Sequence, residues 1–265
     1  MGASGFPRLH RLVSRPFLIA QLSDLHIGAQ WSGVDPERAT AVAIDAVLAL
    51  ADRPDAVLVS GDLTNGAADA EYEVARKLLD RLQLPTYVLP GNHDGRAGLR
   101  RHFDLPGEGG EPLQQAVDLG PLRLVMLDTT RPGVDAGELD AERLDWLEDQ
   151  LAAAPEQPTL LAMHHPPLLT GSDSWDAIGL AASARRGLAE VVERHPQVRL
   201  LVAGHMHRAI TAELAGRVVL AIPSTYLQGK LDFTGPELTL RAEPAAFAVH
   251  ALVDGGLVSH IQPVI

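Results

Sequence analysis

Apolar residues in this chain fall into two alternating rhythms. Short aliphatic or β-branched runs at Leu18–Leu22, Ala56–Val59, Tyr87–Leu89, Leu122–Leu127, Leu160–Met163, Leu200–Ala203 and Val218–Ile222 read as buried strands. Helical spacing fills the intervals. Asp35-Pro36 is a helix start, a capping carboxylate followed by proline at the first helical position, with Val42, Ala46, Val47 and Leu50 as the apolar positions that follow. Glu71–Leu82 aligns Tyr72, Ala75, Leu78, Leu79 and Leu82; Asp140 caps a helix bearing Leu144, Leu147 and Leu151; Ser183–His195 bears Leu188, Val191 and Val192. The tail, Phe247–Val253 and Leu257–Ile261 around Asp254-Gly255-Gly256, reads as a β-hairpin. This alternation predicts an α/β sandwich, with two sheets or one large mixed sheet. Two stretches rich in glycine, proline and charge, Leu105–Pro112 and Thr225–Pro244, are expected to frame a pocket or an oligomer contact.

Composition narrows the partners. At 265 residues and 46% hydrophobic the chain suits one large domain. Met1–Pro16 contains Arg8, His10, Arg11 and Arg15 but no apolar core, and is read as a short flexible leader. A single domain is then expected over 17–265, with a loop-rich appendage around 225–245. The formal charge is −12 and the lysines are Lys77 and Lys230 alone, so duplex nucleic acid and anionic membrane are not expected partners. A small anion stays open, because bound cations reverse the local sign. No apolar run reaches the roughly 20 residues that span a bilayer. The chain has no cysteine, which excludes disulfides and thiolate sites and fits a cytoplasmic location.

The chemistry sits where the strands stop. Asp24-Leu25-His26, Gly61-Asp62, Gly91-Asn92-His93-Asp94, His164-His165-Pro166 and Gly204-His205-Met206-His207 each follow one of the apolar runs. Strands ending one after another in such side chains aim them at one rim of a sheet, where open α/β folds bind ligands. Imidazole, carboxylate and amide without sulfur form a hard-to-borderline donor set that suits Mn, Fe or Zn, as a pair. Asp24 and His26 share a face if their segment is extended. His205 and His207 would share one too. For them to serve different ions the chain must turn after its strand, which Gly204 permits.

The ordered set D-x-H, G-D, G-N-H-D, H-x-P and G-H-x-H resembles the calcineurin-like metallophosphoesterase family. Gly61-Asp62-Leu63-Thr64-Asn65, Glu71–Arg76 and Met163–Pro167 bring it nearest to the bacterial class III phosphodiesterases, which include cyclic-nucleotide and glycerophosphodiester hydrolases. The resemblance implies an αββα sandwich of two mixed sheets flanked by helices, and two divalent or trivalent ions per chain. It assigns Asp24, His26 and His207 to the first metal, Asn92, His164 and His205 to the second, and Asp62 to both. A hydroxide held between the metals would be the nucleophile, and His93 would stabilise phosphoryl charge or protonate the leaving alkoxide.

Around this set the roles are looser. Asn65 either bonds a metal-bound water or stabilises its turn, Asp94 either caps a turn or orients His93, and His165 is pocket wall or rim. Thr129, Thr130 and Arg131 follow a central strand and could contact phosphate. Trp31 and Trp175 follow ligand strands and could line a substrate pocket, whereas Trp146 reads as core; His195 and His250 read as structural or solvated. The segment Pro223–Gln228 lacks the histidine with which glycerophosphodiester-hydrolysing relatives hold substrate, which weakens that reading and leaves a cyclic nucleotide or another diester on at least equal footing. A glycerophosphodiester, a monoester or a pyrophosphate remain as alternatives, and so does a non-catalytic scaffold of the same fold. A small phosphoester is the expected partner, with a homo-oligomer open.

Overall fold

The computed structural model describes residues 15–235 and 237–264; most of the leader, with His10, lies outside them. Strands β1 (Phe17–Leu22), β2 (Ala56–Val59) and β3 (Thr86–Val88) run parallel, and β12 (Ala246–Val253) and β13 (Gly256–Pro263) extend them antiparallel in the order β13-β12-β1-β2-β3. A second sheet has the order β4-β5-β6-β7-β9-β8. It is built from β4 (Gln115–Asp118), β5 (Arg123–Leu127), β6 (Thr159–Met163), β7 (Val198–Ala203), β8 (Ile210–Leu214) and β9 (Arg217–Ala221).

The sheets meet face to face. Ile19, Ala56, Leu58 and Ala248 of the first form one buried cluster with Leu124, Met126, Leu160 and Val202 of the second. The first sheet's other face packs on α1 (Pro36–Leu48), α2 (Asp69–Leu79) and α3 (Arg96–Phe103), where Ile44, Tyr72 and Leu99 join Leu22 and Val59. The second sheet's outer face packs on α4 (Ala141–Ala152) and α6 (Ala182–Arg194) through Leu147, Leu151, Leu188 and Val192. Central strands buried on both faces account for runs such as Leu160–Met163 having no polar alternation. The αββα sandwich is the fold that the sequence predicts.

The local signals held at the helix starts. Asp35 accepts from the amides of Glu37 and Arg38, and Asp140 from that of Arg143. In α1 the buried face is Thr40, Ala43, Ile44 and Val47, while Val42 is 40% exposed. The expected face was therefore rotated, because Thr40 packs inward where an aliphatic residue was sought. The stretch 105–112 is a loop gathered around one side chain. Arg100 donates to the carbonyls of Pro106, Glu108, Gly109 and Pro112. The expected appendage around 225–245 divides in two. Thr225–Gly229 is buried against the ligand-bearing loops, and Gln228–Gly229 (β10) pairs with Leu240–Arg241 (β11); Leu231 and Phe233 between them are 58% and 60% exposed.

Candidate metal centre

The parallel strands deliver their carboxyl ends to one rim. Asp24, His26, Asp62 and His207 offer ligand atoms that all lie within 4.8 Å of one another, and so do His164, His165 and His205. Both groups are buried. The backbone that aims them is unusual: Asp24, His26, Asp62, His205 and His207 all have left-handed φ, at 55°, 47°, 52°, 68° and 48°. Such conformations cost non-glycine residues of order 1–2 kcal/mol each and collect at functional sites, where surrounding bonds over-determine them. Those bonds are present. The amides of Asp24, His26 and Ile27 donate to the carbonyls of Gly61, Asp62 and Leu63, which carries the β1–β2 pairing on into the loops.

Two expectations are corrected here. Asp24 and His26 do not sit on an extended segment; each is left-handed, with Leu25 buried between them. In the Gly204 loop, the turn is made by His205 and His207 themselves. Gly204 is required for space: a Cβ there would stand 1.9 Å from Ser23 Oγ and 2.8 Å from Asp24 Oδ2. Gly91 is likewise pressed on the site, since its Cβ would meet Asp62 Oδ1 at 2.1 Å. Glycine in these motifs lets one ligand loop lie against another.

Main-chain carbonyls set the ring orientations. His164 Nδ1–H donates to Ser60 O at 2.8 Å and His207 Nδ1–H to Leu227 O at 2.7 Å, so each turns Nε2 inward as a lone-pair donor. His205 Nε2–H donates to Ile178 O at 3.0 Å, which frees Nδ1. His164 Nε2 then faces Asn92 Oδ1 at 3.1 Å and Asp62 Oδ2 at 3.3 Å, and the Nε2 atoms of His26 and His207 face each other at 3.0 Å. His164 Nε2 and His207 Nε2 are thus set beside carboxylate, amide and imidazole groups, and His26 Nδ1 is buried with no partner. This donor set fits cations.

The electrostatics say the same. Burial lifts the Asp24 carboxyl above its ordinary range, with His207 opposing. Burial would lift Asp62 too, but the charge and hydrogen bond of His164, with His26, hold it well below the usual range. His164 in turn is raised to about 9 because Asp62 and Asp24 outweigh its burial. Burial drives His26 and His205 well below the ordinary imidazole value. Positive charge is thus favoured at His164, beside Asp62, where a cation could supply it.

The other predicted residues fall around this core. His93 is half-buried; its amide donates to Asp62 Oδ1 at 2.9 Å, its Nδ1–H donates to Asn65 O at 3.0 Å, and its ring meets His26 edge-on at 4.8 Å. Asn65 acts here through its main chain, while its side-chain oxygen is buried without a partner. Asp94 accepts from the amides of Leu63, Thr64 and Gly91 and from the Thr64 hydroxyl, which pins two ligand loops together. Burial, with Asp62 adding, raises its carboxyl to about 6. His165 is not at the rim. It is fully buried behind His205, 4.4 Å between ring centroids, with Nδ1 accepting from Thr129 Oγ1 and Nε2–H donating to Asp135 O. Both ring nitrogens are engaged, so His165 has no lone pair to offer, and Thr129 is spent on holding it. Burial, then His164, pushes it down to about 3. Thr130 is also buried, whereas Arg131 is exposed. Trp31 stands 4.8 Å from the ring of His26 and 5.8 Å from His93. Trp175 instead lines a separate cavity of about 450 Å³ behind Met206. Sequence reasoning missed the carbonyls of Ser60, Leu227 and Ile178, because a main-chain acceptor has no residue signature.

The calcineurin-like phosphoesterase family profile matches residues 17–209. The chain is 33% identical to the glycerophosphodiester phosphodiesterase GpdQ of Enterobacter lignolyticus, over 80% of this chain and 78% of that protein. It is 34% identical to the 3′,5′-cyclic adenosine monophosphate phosphodiesterase CpdA of Pseudomonas aeruginosa, over 82% and 80%. Among solved structures, a dimetal phosphatase from Danio rerio superposes with a TM-score of 0.70 at 16% identity, covering 95% of this chain and 98% of that one.

Proposed function

The chain belongs to the calcineurin-like phosphoesterase family, and from that premise we propose how its residues serve a metal-dependent phosphodiester hydrolase. Asp24, His26 and His207 would hold one cation, Asn92, His164 and His205 the other, and Asp62 would serve both. The observation that carries this is the convergence of buried imidazole nitrogens with carboxylate and amide oxygens, each within about 3.0–3.3 Å of the next. Mn, Fe or Zn suits the donors. Cations bound there would supply Lewis acidity for activating a water and for offsetting phosphoryl charge.

The remaining steps belong to the protein. His93, fixed at both its amide and Nδ1, presents Nε2 to the reacting group and handles the leaving alkoxide's proton. Asp94 keeps the Asp62 and Asn92 loops in register. Trp31 walls the site beside His26 and His93; its carbonyl, with that of Val34, accepts from Tyr226 Oη, which holds the loop in place. An aromatic wall suits a diester with a bulky group, such as a 3′,5′-cyclic nucleotide. The 33% identity to a glycerophosphodiester phosphodiesterase supports that class as the second reading. A scaffold without chemistry is disfavoured by the complete ligand set. The reading places the enzyme in the cytoplasm, acting on a small phosphoester; the −12 charge disfavours duplex nucleic acid.

The test is steady-state kinetics on cyclic nucleotides, glycerophosphodiesters, an aryl diester and monoesters after reconstitution with Mn, Fe or Zn. Diesters should be preferred. A strong preference for small monoesters defeats the diester reading, and fewer than two bound ions per chain defeats the ligand assignment.

A further inference from the structure

Away from the rim, a buried polar chain runs strand to strand across the first sheet, on its face toward the second. His250 of β12, Gln21 of β1 and Ser60 at the end of β2 are each fully buried. His250 Nε2–H donates to Gln21 Oε1 at 2.8 Å, and Gln21 Nε2 donates to Ser60 Oγ at 2.7 Å and, at 3.4 Å, to Ala203 O. At its outer end Ser259 Oγ of the hairpin donates to His250 Nδ1 at 2.7 Å. At the inner end Ser60 O accepts the His164 Nδ1–H.

The polarity of this chain is determined at every link. Ala203 O can only accept, so the Gln21 amide nitrogen must face it and the amide oxygen must face His250. Gln21 Oε1 can only accept, so His250 carries its proton on Nε2 and leaves Nδ1 for the Ser259 hydroxyl. Burial pushes His250 down to about 4, which keeps it neutral and able to fill this role. Gln21 thereby ties together the ends of β2 and β7, which lie in different sheets and lead into the Asp62 and His205 loops. A core position of this kind would ordinarily be aliphatic. Burying three polar side chains in line is costly unless every partner is satisfied.

We propose that His250, acting through Gln21 and Ser60, is a positioning residue for the metal ligand His164, and so tunes the second cation site from two strands away in the first sheet. The inference rests on the assignment of His164 as a ligand. Partners of metal-ligating histidines typically contribute about 10–100-fold to metal affinity or activity. His250 lies two links beyond Ser60, the direct partner of His164, and its effect should fall toward the lower end.

Calorimetric titration of the metal-free protein with Mn²⁺ provides the test, on the wild type, His250→Leu and His250→Gln. Leucine and glutamine are close in size, but only glutamine keeps a donor for Gln21 Oε1. His250→Leu should weaken one of the two equivalents about tenfold and leave the other within twofold, and His250→Gln should restore most of that loss. Equal affinity in all three proteins overturns the proposal, as does an equal loss at both equivalents or in both variants, which would mark a packing role. If His250→Leu does not fold, Ser259→Ala carries the test, because it removes only a half-buried hydroxyl. A threefold or greater loss confined to one equivalent supports the proposal, and unchanged affinity overturns it. A wild type that binds fewer than two ions defeats the ligand assignment instead.

Discussion

Two of the places where left-handed backbone occurs in this protein use it for opposite reasons. In the hairpins of β8–β9 and β12–β13 it falls on Ala215-Gly216 and Asp254-Gly255, paired residues in tight turns whose twist matches the strands they join. At the rim it falls on Asp24, His26, Asp62, His205 and His207, buried and bonded on all sides. The hairpins use the conformation to reverse the chain, and a different side chain would serve as well. The rim uses it to turn chosen side chains inward against their backbone preference. The same dihedral is therefore replaceable in one region and committed in the other.

Substitution at Asp62 gives the strongest contrast. Asp62→Ala removes the carboxylate that lies between the two clusters, so activity should be abolished and metal content should fall at both sites by elemental analysis. Full metal content with normal turnover would dissolve the distinction between the regions. At His93 the loss should be of chemistry alone. His93→Ala should keep both metals and lose roughly 10²–10⁴-fold in turnover. The loss should shrink with a nitrophenolate leaving group, which needs little protonation; an equal loss for good and poor leaving groups would assign His93 to phosphate stabilisation.

Between the regions lies His250, and its effect should appear in stability. Its folded pKa of about 4 lies below the ordinary 6.5, so the unfolded chain binds more protons between these values. The stabilisation is complete above pH 6.5 and is lost as pH falls toward 4, by an amount on the order of 3 kcal/mol. Urea denaturation from pH 7 to 4 should therefore show a shallower loss in His250→Gln than in the wild type. Parallel curves would contradict the buried, neutral assignment. The smallest effect belongs to the hairpin. Ala215→Gly relieves a left-handed alanine at φ 49° and should stabilise by about 0.5–1 kcal/mol, with kinetics unchanged. A change in turnover would show that the turn is coupled to the rim.

Much of this was legible in the sequence, and the failures share a cause. The central strands and capped helices were marked by apolar runs and by Asp35 and Asp140, whose signals are local. The missed strands β4 and β8 lie at the ends of the second sheet, short and half-exposed, without the continuous apolar run that marks the central strands. Helix α3 was missed because Arg96, Arg100 and Arg101 look solvated; Arg96 is buried and paired with Asp128 at 2.7 Å. At the site, residue types and order gave the candidate ligands. The fit between loops did not show, since the closeness of Gly204 to Ser23 and of Ser60 O to His164 is set by how the two sheets dock.

The loop gathered by Arg100 bears on how long the protein lasts among proteases. A protease must draw several residues of its target into an extended strand across its cleft. The 106–112 segment is exposed and glycine-rich, a composition that invites cleavage. With its carbonyls fastened to one guanidinium, the segment must first break those bonds to be drawn out. Nicking there would separate the chain between Asp94 and the later ligands, so a single arginine guards the continuity of a site it never touches.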